Sequence, residues 1–115
     1  MRENKLADMS LDFSIKIIQL CEQIKGHPSL RNQLERSATS IGANVHEANY
    51  AQSKADFISK LQISLKECFE TEYWLTLLRK ADIIDPGISI QLSNQCGTLR
   101  RILIASINTA KANLK

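Results

Sequence analysis

Only two places in this 115-residue chain can stop a helix outright, Gly26-His27-Pro28 and Asp85-Pro86-Gly87. Proline lacks the amide donor and clashes with the preceding turn, and glycine adds turn freedom, so regular structure ends at both. The stretch between them is too long for one helix of a globular protein. Ser53 supplies the missing break: its hydroxyl can cap a new helix, and Asp56 follows in the first turn, close to a capping box. Four helices are therefore predicted, at about 8–25, 29–50, 53–82 and 87–113. With two prolines and four glycines in all, and Thr, Val and aromatic residues sparse, little else competes with helix.

The apolar residues recur with helical period. In the second segment Leu30, Leu34, Ala38, Ile41, Val45 and Ala48 step by three or four, and in the fourth Ile88, Leu92, Cys96, Leu99, Leu103, Ile107, Ala110 and Leu114 do the same. Such stripes, joined by short loops, predict an all-α fold, an antiparallel up-down four-helix bundle. The length suits a single domain over residues 1–115 with one core. No apolar run approaches the roughly 20 residues that span a bilayer. The first ten residues lack the apolar core of a secretory signal, so a cytoplasmic protein is expected.

The first and third segments carry two stripes each. Leu6, Met9, Phe13, Ile17, Leu20 and Ile24 form one, and Leu11, Ile15 and Ile18 another. In the third, Phe57, Leu61, Leu65, Cys68 and Leu75 oppose Ile63, Trp74, Leu77, Leu78 and Ala81. A four-helix bundle covers one stripe per helix, so the second is expected to meet another subunit.

Polar residues beside these stripes are the candidates for a specific role. Arg36, Ser40, Asn44 and Glu47 share a face of the second helix, and Glu67 and Glu70 flank Trp74, while Glu72 points toward Leu61, Leu65 and Cys68. A metal or acid–base site is one reading. The favoured one pairs Arg36 with a carboxylate, because its planar fork takes two hydrogen bonds, and lets Asn44 complete a buried network or a subunit contact. Spacing leaves open which glutamate is the partner. Trp74 and Tyr73 have no basic–aromatic interleaving around them, so core or interface packing is expected.

Catalytic and cofactor signatures are not found. His46-Glu47 begins H-E-x-x-H, but Tyr50 stands where the second ligand is needed. Ile24 and Ala43 precede the two histidines by three, so Glu-x-x-His fails as well. No nucleotide-binding glycine loop or nucleophile elbow occurs. Cys21, Cys68 and Cys96 are far apart and fall on apolar stripes, where a thiol behaves as a small hydrophobe. No metal, cofactor or catalytic residue is assigned.

The words RSATSIGANVHEA (Arg36 to Ala48), the S-x-x-DF step at Ser53 to Phe57, and KECFETEYWLTLL (Lys66 to Leu78) resemble the small bundle proteins encoded by intervening sequences in bacterial 23S rRNA genes. The resemblance spans nearly the whole chain. It implies an antiparallel four-helix bundle and a homopentamer arranged as a ring or barrel. It also implies a distant relation to the accessory protein of diversity-generating retroelements, a basic pentamer that binds nucleic acid and a reverse transcriptase.

Charge is unevenly placed. Residues 1–85 hold 11 Lys/Arg against 12 Asp/Glu, whereas residues 86–115 hold Arg100, Arg101, Lys111 and Lys115 and no acid. The +3 of the whole chain therefore comes from the last helix. These four are the candidate nucleic-acid contacts, since phosphate binding needs cations but no base-reading motif. Two partner classes stay open, RNA or DNA on that surface, or a protein docked on an oligomeric scaffold. The double stripes set the first test. Light scattering at micromolar concentration should give several times the 12.9 kDa chain mass, and a monomer would remove the interface reading.

Overall fold

The computed structural model describes residues 4–114 and contains four helices, α1 (Lys5–Gln23), α2 (Pro28–Ala48), α3 (Lys54–Lys80) and α4 (Pro86–Ala112). They run up and down, each packed on its chain neighbour, and the thinner α1–α4 seam closes the bundle. The predicted boundaries are met within a few residues.

Each start and stop has a local cause. Asn4, Ser53 and Asp85 cap α1, α3 and α4 by accepting the amides of Ala7, Asp56 and Ile88 at 3.0, 3.1 and 3.0 Å. Asp56 accepts the Gln52 amide in return at 3.4 Å, which closes the break between α2 and α3. Gly26 and His27 both take the left-handed conformation, with φ of 72° and 51°, and Pro28 then opens α2 with its φ already helical. Asp82, at φ 60°, ends α3: the Ile83 amide reaches back to the Leu78 carbonyl at 2.9 Å and the Asp82 amide to Arg79 at 3.0 Å. This is a Schellman stop with aspartate in the place usually held by glycine.

The core runs along the bundle axis and includes Phe13, Ile17, Leu34, Ile41, Leu61, Leu75, Leu99 and Leu103. Cys21, Cys68 and Cys96 are buried in it as free thiols. Burial pushes the Cys21 thiol up to about 11, with Glu35 adding to the shift and Arg31 opposing it. Cys96 is raised too, by its contact with Cys68 and by burial. All three lie away from solvent, as packing groups of the core.

The stripe predicted on α3 is rotated from the observed one. Ile58, Leu61, Ser64, Cys68, Thr71, Leu75 and Leu78 are buried, while Phe57 and Leu65 are half-buried. Leu78 therefore belongs to the core and not to the second face. The reason is that hydroxyl residues occupy inward positions, which a pattern of apolar residues alone skips.

Small hydroxyl side chains recur at the seams. Ser64 donates to the Ile41 carbonyl of α2 at 2.9 Å, and Ser89 of α4 to the Leu75 carbonyl of α3 at 3.0 Å. Ser37 donates to the Leu34 carbonyl, which leaves its oxygen free to accept from Thr71, 2.9 Å away. Gly42 lets α1 close in, so that a Cβ there would lie 3.4 Å from the Ser10 carbonyl and the Ser14 hydroxyl. Replacing Ser64 with Leu should destabilise the bundle by about 1–3 kcal/mol through overpacking. Thr71→Val should cost about 1 kcal/mol, because it removes the buried hydroxyl that Thr71 shares between Ser37 and the Glu67 carbonyl and keeps the volume. Urea unfolding midpoints measure both, and a neutral Ser64→Leu would show that the seam is not closely packed.

Candidate functional site

The polar residues predicted to act together separate into three surface groups. Arg36 of α2 reaches α3, where it forms an ion pair with Glu70 and a second with Glu67 at 3.5 Å. Glu47 pairs with Lys60 at 3.1 Å. Glu72 accepts a bond from Arg100 Nε at 2.9 Å. Asn44 and Ser40 do not join the carboxylates, since each donates to a carbonyl four residues back in its own helix, at 2.8 and 2.7 Å.

Two expectations need correction. The Arg36 side chain is 50% exposed, so in this chain its bridge lies on the surface and is not a buried network. The reason is geometric: Arg36 precedes the inward Ser37 and points along the rim of the α2–α3 seam. The polar groups that are buried are Ser10, Ser14, Ser37, Ser64, Thr71 and Ser89, none of which the charge pattern could single out.

Trp74 is half-buried and donates its indole N–H to Glu70 Oε2 at 3.0 Å. That hydrogen bond, and then Arg36, hold the Glu70 carboxyl below its ordinary value. Tyr73, expected to pack inward or into an interface, is 58% exposed in the chain, its ring edge-on to Trp74.

The basic residues of α4 are placed by the core. Leu99 and Leu103 are buried against the bundle, so the residues between them turn outward. Arg100 leans toward α3, bound to Glu72, with its guanidinium 5.5 Å above the Phe69 ring. Both contacts favour the charged form, and the Glu72 bond raises its pKa further. Arg101 faces solvent and bonds only the Thr98 hydroxyl of its own helix, at 3.2 Å. The two guanidiniums come together over Gly97, whose missing Cβ would lie 3.4 and 3.5 Å from them. Lys111 is exposed further along α4, and Lys115 lies outside the described residues.

Elsewhere the surface offers little chemistry. A cavity of about 810 Å³ opens between the α2–α3 connection and the end of α4, lined by Ala48, Ser53, Lys54, Phe57, Thr109 and Asn113 among others. Its one cation, Lys54, is engaged with the Asn113 carbonyl at 2.9 Å. Among the described residues no three His, Cys, Asp or Glu side chains gather into a metal-holding group, and no helix is long and apolar enough to cross a membrane.

The family model of the 23S rRNA-intervening sequence proteins matches residues 2–105. The chain belongs to that family. A crystal structure at 1.70 Å of a protein of unknown function from Bacteroides thetaiotaomicron VPI-5482, assigned to the S23 ribosomal protein family, is 41% identical. The match covers 89% of this chain and 97% of that one, with a TM-score of 0.83. No curated protein matches. The residues carrying the family resemblance now have a physical reading, since Arg36, Ser37, Glu67, Glu70 and Thr71 all serve the α2–α3 seam.

Phe69 fell on no predicted stripe and was missed. The available signal was its exclusion from the Leu61, Cys68, Leu75 face, which left it outside the core beside a basic helix.

Trp74 is the only tryptophan, so its fluorescence reports Glu70. Because the folded pKa of Glu70 is depressed, the stability it contributes is complete above the ordinary carboxylate value and is lost as pH falls through the lower, folded one. Emission should change in that acid window and not above it, and Glu70→Gln should abolish the change. Arg36→Leu, now a surface replacement, should cost less than about 1 kcal/mol in urea unfolding. A loss of several kcal/mol would mean that the residue is covered by a second subunit.

Proposed function

We propose that this chain is a non-enzymatic, self-assembling helical bundle that binds nucleic acid through α4, with Arg101 as the main phosphate contact. The observation that carries the reading is the pair of guanidiniums over Gly97, in a segment with no carboxylate of its own. Among the described residues Glu72, from α3, is the one carboxylate paired with them, and it is committed to Arg100. Repetition of this surface around an oligomer would add the fields of its copies and draw in a polyanion. The family description, tied to an rRNA intervening sequence, makes RNA the first ligand to try.

Exposed Leu11, Ile15 and Ile18 on α1 support the self-assembly part of the proposal. They equally suit a second reading, in which the assembled bundle is a scaffold that holds a protein and never touches nucleic acid.

A gel-shift titration at low and at raised salt distinguishes the two. Binding should be sequence-tolerant and weaken steeply with salt, and Arg101→Glu should lower affinity across all sequences and reduce the salt slope by about one. Arg101 is the cleaner site to reverse, because Glu at position 100 would face Glu72. If the wild type shifts no polynucleotide even at low salt, the scaffold reading replaces this one.

A further inference from the structure

The outward face of α3 holds a pattern that the core stripe conceals. Lys66, Phe69, Tyr73 and Lys80 follow one another at steps of three, four and seven, so they share one side of the helix. All four are exposed, Phe69 by 54% and Tyr73 by 58%. Arg100 borders this side from α4 with its guanidinium over the Phe69 ring, and Arg101 lies beside it over Gly97. The neighbouring acids are occupied: Glu72 by Arg100 toward α4, and Glu70 by Arg36 and Trp74 toward α2. Two aromatic rings thus lie between two lysines along a strip about 21 Å long, at 1.5 Å rise per residue.

We propose that this strip binds an unpaired stretch of nucleic acid, stacking one base on Phe69 and the next on Tyr73 while Lys66, Lys80 and Arg101 hold phosphates. The proposal rests on the reading above that the chain binds nucleic acid, and it names the form of ligand. A planar cation already lies over the Phe69 ring, which stays 54% exposed, so a base added there would extend a guanidinium–ring stack. Bases inside a duplex are covered by their neighbours and cannot reach a ring on a convex helix. Phe69 and Tyr73 are about 6 Å apart along the axis. That exceeds the ~3.4 Å rise of a stacked strand, so the two bases must separate, as only a single strand readily allows.

Fluorescence anisotropy with a labelled oligouridylate of roughly ten nucleotides, within the range such sites cover, and with a duplex of equal length tests the proposal. The wild type should prefer the single strand. Phe69→Leu and Tyr73→Leu should each weaken strand binding roughly ten-fold, leave duplex binding within about two-fold, and keep the helical circular dichroism and the oligomer mass. Equal affinity for strand and duplex, unmoved by either substitution, would overturn the stacking strip while leaving phosphate binding by α4 in place. Absence of binding to both polymers at low salt would overturn that parent reading and this one together. Should Phe69→Leu instead dissociate the oligomer, the face is a subunit contact and the strip is overturned. Tyr73→Leu gives an independent reading if Phe69→Leu alters the fold.

Discussion

Thr71 and Ser37 meet through their hydroxyls inside the bundle, and this contact joins α2 to α3 in the middle of their seam. With Ser64 bonded to the Ile41 carbonyl further along, the two helices are tied at two levels through side chains short enough to let their backbones approach. Ser64 donates across the seam, so a slipped register would strand its buried hydroxyl at a cost of about 1–3 kcal/mol, whereas Ser37 and Thr71 would keep the Leu34 and Glu67 carbonyls of their own helices. Apolar packing alone tolerates sliding far better, because one aliphatic side chain fills the space of another at modest cost. Placement of α1 and α4 follows from this pair, since each rests on one of its members and they meet one another only thinly.

The same seam explains why family membership says so little about activity. The residues that carry the resemblance are largely those the α2–α3 contact requires. Thr71 and Ser37 form its interior, Arg36 with Glu67 and Glu70 closes its rim, and Gly42 opens the other side of α2 to α1. A chain can keep all of them for the sake of packing. Function has to be sought on the surfaces that this framework leaves free.

Those surfaces are electrostatically sorted. The carboxylates of α3 near α2 are matched by Arg36 and by the indole of Trp74, whereas α4 brings cations and no acids. The sorting has a structural origin, because the burial of Leu99 and Leu103 leaves Arg100 the seam with α3 and Arg101 the solvent. One of the two is then drawn to Glu72 and Phe69, and the other stays available. The charge excess of the last helix is therefore real but smaller at the bundle surface than a count of residues implies.

The sequence by itself determined the number of helices, their limits and most of the core, because helix breakers, caps and apolar period act within a few residues of one another. Ser53, Asp85 and Pro86 cap or open helices wherever those helices are packed. It also identified Arg36 as a partner of the α3 carboxylates, since a face of α2 carrying Arg beside an apolar stripe can be read from spacing. Only the tertiary structure decided which carboxylate each arginine takes, Glu70 and Glu67 for Arg36 and Glu72 for Arg100, because those pairs join residues about thirty positions apart. It also moved burial from the charged residues to Ser64, Thr71 and their like, and brought Phe69 under Arg100. The physical reason is common to all three. Hydroxyls, rings and guanidiniums are compatible with either side of a helix, and the neighbour across the seam determines which side they serve.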